Sequence, residues 1–187
     1  MTSPATGRAS RSLWGVGPAG PIHFGYDAAA AEQIRLTENG CSHTVLFADL
    51  HVMMSHGLSY ADARQRSRYY EAVFSAGYGI EARFVNGSEF ELTPEYQTLL
   101  LGLASRMAIS PLAAALPHSA TKARSRERTL GTLLYPLMQC LDAVYLGVDV
   151  VLADEGQRKT YDLLNRQETL GGWCQTRYLD KIGSRGE

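Results

Sequence analysis

The segment Leu133-Leu-Tyr-Pro-Leu-Met-Gln-Cys-Leu-Asp-Ala-Val-Tyr-Leu146 constrains the fold of this chain most. It reads as a helix that is apolar almost all round, and such a helix is buried between other elements rather than laid on a surface. Tyr135, Gln139 and Asp142 recur at i, i+4 and i+7, which puts them on one face. Polar groups taken out of water cost free energy unless they are paired. The three therefore either bond one another across a core or line a cavity for a polar ligand, and spacing alone leaves both open.

The elements around that helix alternate. Residues 26–37 read as an Ala-rich helix, and 44–50 as a short apolar strand. Ser59, with Asp62 three residues on, starts a helix to about Ala76. Residues 83–89 read as a strand, and Thr93 caps a helix that begins at Pro94 and passes Leu103. Residues 110–129, with Pro111, Pro117 and a basic cluster, read as a boundary or an insertion. A strand over 148–152 and a helix to about Asn165 follow. This alternation predicts an α/β fold, a doubly wound parallel sheet of the Rossmann-like kind. The 187 residues suit one domain, expected over 13–187 and preceded by a disordered leader over 1–12, which lacks acidic side chains.

Several function classes are excluded or disfavoured. A net charge of −1 argues against holding nucleic acid by bulk electrostatics. Lys122, Arg124, Arg126 and Arg128 surround Glu127 and read as a solvated loop. No apolar run approaches the roughly 18 residues of a membrane span. Cys41, Cys140 and Cys174 form neither a disulfide framework nor a C-x-x-C metal site, so a cytoplasmic setting is expected and no metal ligand is assigned.

Gly15-Val-Gly17-Pro-Ala-Gly20 matches G-x-G-x-x-G, yet Pro18 and Pro21 oppose a helix opening there. No acidic residue closes a second strand about 20 residues on, so the dinucleotide reading is rejected. His23-Phe-Gly25-Tyr26 stands at the mouth of a helix, where a histidine beside a glycine suits an anionic phosphate. Asp49-Leu-His51 is expected to end a strand, at the ligand edge or as a satisfied structural pair. His51 and His56 are five apart and cannot share a helical face. Gln157-Arg-Lys159 opens a helix beyond the carboxyl end of a strand, where open α/β sheets place ligands.

Read in order, Trp14-Gly15, Gly20-Pro-Ile-His-Phe-Gly-Tyr26, Leu46-Phe-Ala-Asp-Leu-His51, Tyr69-Tyr-Glu71, Gly87-Ser-Glu-Phe90, Tyr135-Pro-Leu-Met-Gln139, Asp142, Tyr145-Leu-Gly-Val-Asp149 and Gln157-Arg-Lys159 resemble one known family. It is the class I tyrosyl-tRNA synthetase catalytic domain of the archaeal and eukaryotic type, and the likeness covers about residues 13–166. The resemblance implies ATP, with Mg, as co-substrate, met by Gly15, Gly17, Gly20, His23, Gly25 and Asp154. His23 and Tyr26 take the first and last places of the HIGH signature and are implied as catalytic. Leu13, His51, Tyr135, Gln139, Asp142 and Gln157 are implied around a tyrosine-like amino acid. Of these, Tyr135, Gln139 and Gln157 hold its α-amino group, and Asp142 accepts from the phenol.

Four departures shape the expectation. Leu13 stands where the family has a tyrosine that grips the phenol. Ala153-Asp154-Glu-Gly156 replaces the family's ribose-facing Gly-Gly stretch. The KMSKS loop survives at most as Lys181-Ile-Gly-Ser-Arg-Gly186, and no anticodon-binding domain follows. The expectation is a stand-alone amino-acid-activating enzyme that serves an unknown small acceptor rather than tRNA, without a membrane partner. The alternative is a non-catalytic paralogue that binds an amino acid or an aminoacylated partner. By analogy with the family, a homodimer is expected through residues 95–130.

Overall fold

The computed structural model describes residues 9–115, 129–165 and 175–179. In chain order its elements are β1 (Arg11–Val16), α1 (Asp27–Glu38), β2 (Ser42–Phe47), α2 (Asp49–His56), α3 (Tyr60–Ala72), β3 (Arg83–Asn86) and α4 (Pro94–Ala104). They continue with α5 (Ile109–Ala115), α6 (Leu130–Tyr145), β4 (Val150–Asp154), α7 (Arg158–Asn165) and β5 (Gln175–Leu179). The five strands run parallel in the order β3-β2-β1-β4-β5. The chain thus winds outward from β1 to β3 and then returns to the other side of β1 for β4. That reversal opens a crevice at the carboxyl ends of β1 and β4, where sheets of this kind bind ligands.

Side chains alternate across the sheet with the period of two that a strand imposes. Trp14, Val16, Val45, Phe47 and Leu152 face one way and pack with Ala29, Ala30, Leu36, Tyr70 and Phe74 of α1, α3 and the turn after α3. Leu13, Leu46, Val151 and Ala153 face the other way, against Tyr96, Leu100 and Leu103 of α4 and Leu137, Met138 and Leu141 of α6. Helix α6 is buried as its apolar girth requires, and begins at Leu130 because the Thr129 hydroxyl accepts from the Thr132 N–H.

Several boundaries move. Strand β1 starts at Arg11, inside the expected leader, and Arg11 and Asp149 exchange two bonds of 2.8 Å that tie β1 to the approach to β4. Residues 1–8 lie outside the described residues, as do 116–128, with the basic cluster, and 180–187, with the shortened KMSKS-like stretch. Strand β2 ends at Phe47, and Asp49 to His51 open a helix rather than close a strand. The cause is Asp49, whose carboxylate accepts from the Leu50 N–H at 3.0 Å and so starts α2. Strand β3 ends at Asn86, and Gly87–Glu89 form a single 3-10 turn. The Ser59 and Thr93 caps are where the sequence puts them.

One buried polar chain ties β1, β2 and α1 together. Ser12 Oγ meets His43 Nδ1 at 2.7 Å, His43 Nε2 meets Gln33 Oε1 at 2.9 Å, and Gln33 Nε2 donates to the Ala29 carbonyl at 3.1 Å. Burial pushes the His43 imidazole down to about 4, so the chain is neutral at physiological pH. Gln33→Leu strips His43 of a buried partner, and such a loss amounts to about 1–3 kcal/mol. Urea unfolding of this variant is expected to show a midpoint shifted down accordingly; an unchanged midpoint would mean the chain contributes nothing.

Candidate functional site

A cavity with about 410 Å³ of empty space, its open mouth included, lies at the crevice between β1 and β4. Its floor is Leu13, Gly15 and Gly17 of β1 and the loop after it, with Leu46 and Ala48 at the end of β2. Its roof is Tyr135, Gln139 and Asp142 of α6, and its sides are His51 of α2, Gln157 and Tyr161. The polar face of α6 therefore lines a cavity, which decides between the two alternatives left by its spacing. Gly17 allows the close approach of α2, since a Cβ there would fall 2.9 Å from Val52 Cγ1.

The inner end of the cavity is unusual in its polar groups. Asp142 is buried and accepts at Oδ1 from the Tyr96 hydroxyl at 2.5 Å, while Oδ2 lies 3.7 Å from His51 Nε2. On the other side of the imidazole, Glu91 Oε1 lies 3.6 Å from His51 Nδ1. Neither ring nitrogen of His51 and neither carboxyl oxygen of Glu91 makes a hydrogen bond, although Glu91 is fully buried and His51 only 2% exposed. Glu91 reaches this place from the β3–α4 connection by bending over Gly87, where an added Cβ would fall 2.1 Å from Glu91 Oε1. Gln97 Nε2 donates to the Glu91 carbonyl at 2.6 Å and fixes the bend.

Burial dominates the acid–base state of these groups. It pushes the Glu91 carboxyl up to about 10, helped by the negative charges of Asp142 and Asp49. It pushes Asp142 up to about 8 against the lowering bond from Tyr96. It pushes His51 down to about 4. Asp49 is the contrast, because its buried carboxylate is fully used. It accepts from Ser88 N at 2.9 Å and Ser88 Oγ at 2.5 Å and faces Arg64 Nη1 at 3.8 Å. Of the Asp49–His51 stretch, the aspartate is the satisfied structural group and the histidine the cavity group.

Donor atoms of His51, Glu91 and Asp142 lie within 4.8 Å of one another, the spacing a metal ion asks for. The imidazole, however, stands between the two carboxyls, one on each ring nitrogen. An ion bound to one nitrogen at about 2.1 Å meets the near carboxylate and leaves the other across the ring.

The groups implied for ATP sit at the mouth and beyond it. Gly15 and Gly17 line the cavity; Gly20, His23, Gly25, Tyr26 and Asp154 are not part of its lining. His23 is exposed, and its Nδ1 accepts from the Gly25 N–H at 3.1 Å, capping the turn that leads into α1. Tyr26 is turned inward: its ring packs on Trp14, Tyr70 and Phe74, and its hydroxyl meets that of Tyr70 at 3.3 Å. That placement makes Tyr26 a support for the loop, held further by the Tyr70 hydroxyl donating to the Gly20 carbonyl at 2.9 Å. Asp154 is exposed and accepts from the Gly156 N–H at 2.6 Å, while Gln157 Oε1 accepts from the Asp154 N–H at 3.2 Å. This capping box engages the side-chain carbonyl of Gln157, whose residue also lines the cavity.

A family model described as tRNA synthetases class I (W and Y) matches residues 5–163. The chain belongs to this family. Within the synthetase family it is 30% identical over 154 residues to a tyrosine–tRNA ligase of Methanoculleus marisnigri, covering 82% of this chain and 48% of that one. It is 31% identical over 185 residues to a cytoplasmic tyrosine–tRNA ligase of Xenopus tropicalis, covering 92% and 34%. A crystal structure of tyrosyl-tRNA synthetase from Archaeoglobus fulgidus, complexed with L-tyrosine, superposes with a TM-score of 0.84 at 26% identity, over 95% of this chain and 56% of that one. This synthetase-family chain thus spans less than half the length of the curated relatives named, and the resemblance read from its motifs is the family it matches.

Sequence reasoning singled out the six amino-acid residues now found on the cavity wall, but it missed Glu91, Tyr96 and Tyr161. Glu91 carried a faint signal, an acid between Phe90 and Leu92 four residues after a glycine.

The raised carboxyls make stability fall with rising pH. A carboxyl that holds its proton more tightly folded than unfolded stabilises the fold fully below its unfolded value, about 4. That stabilisation is lost as pH climbs toward about 8 for Asp142 and about 10 for Glu91. The lowered His51 acts in the opposite sense, but only between about 4 and its ordinary 6.5. Both carboxyls therefore act unopposed by His51 between about pH 6.5 and 8. Glu91→Gln, a neutral isostere, is expected to have a Tm that exceeds the wild type's by more at pH 8 than at pH 5. Parallel Tm curves for the two proteins would contradict the placement of Glu91.

Proposed function

We propose that the cavity binds a tyrosine-like amino acid and that the chain activates it with ATP. The observation that carries this reading is the set of polar side chains on the wall of a cavity at the sheet's switch point, with Gln139 Oε1 lacking a partner. The Tyr135 hydroxyl and Gln139 Oε1 present acceptors for an α-ammonium end, and Gln157 lines the same wall. Leu13, Leu46 and Tyr161 form an apolar sleeve for the side chain, and Asp142 and His51 close it. A carboxylate oxygen of the amino acid would attack the α-phosphorus of ATP, forming one P–O bond as the bond to pyrophosphate breaks.

The chain's part in that step is orientation and charge stabilisation. Backbone N–H groups of the Gly15–Gly25 stretch and the His23 ring would face the phosphates, with Mg carried on ATP. Asp154 would stand near the ribose. For the acceptor we favour a small molecule over tRNA, since a chain of net charge −1 carries no bulk attraction for a polyanion. A cytoplasmic setting accords with the free thiols of Cys41 and Cys140. Among the described residues no helix is long and apolar enough to cross a membrane.

ATP–pyrophosphate exchange tests the enzyme reading. Exchange is expected to depend on an aromatic amino acid, and Gln139→Ala should raise the KM for that amino acid about tenfold or more through loss of a bond to a charged group. Absence of exchange with every aromatic amino acid, at high protein concentration, would contradict it. A second reading, a non-catalytic amino-acid binder, is favoured by one contrast: His23 and Asp154 are engaged by their own backbone neighbours, whereas the ring nitrogens of His51 and Gln139 Oε1 are not. That reading expects thermal stabilisation by the amino acid alone, and it fails if only amino acid and ATP together stabilise.

The homodimer is also proposed, through α4 and α5. Leu99 and Leu101 of α4 and Ile109 of α5 are exposed apolar side chains within the segment expected to pair. Leu101→Glu is expected to shift the light-scattering mass of the wild-type dimer to that of a monomer. A wild-type monomer, or a variant that stays dimeric, would place the interface elsewhere or remove it.

A further inference from the structure

We propose that the inner end of the cavity selects an amino acid whose side chain ends in a protonated nitrogen, with Asp142 and His51 in contact and Glu91 behind them as a second acid. This rests on the amino-acid reading of the cavity and names the substrate class within it.

Two carboxyls and one imidazole are gathered here, and once the acids ionise there are too few donors to satisfy them. Asp142 has the Tyr96 hydroxyl on one oxygen; Glu91 has no donor on either, and His51 none on either nitrogen. Groups this deeply buried are ordinarily paired, and an unpaired set aimed at a cavity marks where a partner arrives. The described residues do not supply that partner. The Arg64 guanidinium lies 3.8 Å from Asp49 and 3.4 Å from Glu89, and among the described residues no Lys or Arg forms an ion pair with Glu91 or Asp142. The groups facing the cluster from neighbouring elements include the acid Asp49 and the phenols Tyr96, Tyr135 and Tyr161.

The chemistry of the missing partner follows from counting donors. A phenol brings one O–H, enough for Asp142 and nothing more. The floor opposite offers Leu13, which neither donates nor accepts. An ammonium or amidinium brings several N–H donors, needs no acceptor in return, and carries the charge that two ionised acids call for. Glu91 is held in place at structural expense, since its position requires Gly87 to lack a side chain and occupies the Gln97 amide. With no ligand the acids remain protonated, as their burial favours, and His51 remains neutral. A cation at the cavity end lets an acid ionise against it, with His51 relaying the second carboxyl through its ring.

Isothermal titration of the full chain at pH 7.5 tests the proposal with three probes: L-tyrosine, L-phenylalanine and 4-aminomethyl-L-phenylalanine. The last probe is expected to bind about tenfold or more tightly than either of the others, as opposite charges desolvated together allow. In Glu91→Gln that preference should fall about tenfold, while tyrosine affinity changes little, since the amide resembles the protonated acid. Tyrosine binding as tightly as the cationic probe, or a ratio untouched by Glu91→Gln, would overturn the inference and leave the amino-acid reading standing. Binding of none of the three would instead overturn the amino-acid reading and the inference with it. Saturable binding of Zn²⁺ alone, lost in Glu91→Gln, would assign the cluster to a metal and overturn the cationic side chain.

Discussion

Burying α6 with its polar stripe against the sheet is the constraint on which the rest of the site depends. The helix has apolar side chains around most of its girth, and Leu137, Met138 and Leu141 are sealed against the sheet and α4. Once those are placed, helical geometry leaves no freedom for Tyr135, Gln139 and Asp142, which must face the crevice between β1 and β4. Asp142 receives the hydroxyl of Tyr96 and Gln139 bonds Tyr161, yet Gln139 Oε1 has no partner. The fold thus drives polar groups into a place it does not fully satisfy, as a binding site requires and a core avoids.

The same contrast separates the two ends of the crevice. At the outer end His23 caps a turn, Asp154 and Gln157 form a capping box, and Tyr26 and Tyr70 lock the intervening loop. Those bonds are local and would form in any copy of these turns. At the inner end the uncommitted atoms of His51 and Glu91 come from α2 and the β3–α4 connection, and Asp142 from α6. Asp49, only two residues from His51, shows that burial alone is not the cause, because Ser88 and the Leu50 N–H satisfy it completely. Among the described residues, five of the seven buried side-chain atoms without a partner belong to His51, Glu91 and Gln139; the others are Arg11 Nε and Asn86 Oδ1.

Much of this was legible in the sequence, for identifiable reasons. Helix α6 declared itself because its polar residues repeat at helical spacing in an apolar segment, and the caps at Ser59 and Thr93 are local signals that the structure keeps. Strand β1, the centre of the sheet, did not, because Gly15 breaks its apolar run and conceals the period of two. The end of β2 was hidden for a different reason: the apolar run continues through Leu50, and the switch to helix is made by Asp49 with help from Ser88, far along the chain. Glu91 joins His51 and Asp142 only through the tertiary fold, so no window of sequence contains the cluster. The family likeness supplied roles for the cavity wall, yet it had nothing to say of an acid at Glu91.

The account stands on one claim, that the α6 face and His51 form the wall of an amino-acid pocket. A crystal structure of the full chain soaked with an aromatic amino acid and a non-hydrolysable ATP analogue tests this most directly. The account expects the α-amino group within hydrogen-bond distance, about 2.7–3.2 Å, of Tyr135, Gln139 or Gln157, and the side-chain tip against Asp142 and His51. An amino acid bound elsewhere, with Gln139 and His51 finding partners among the protein's own groups, would contradict it.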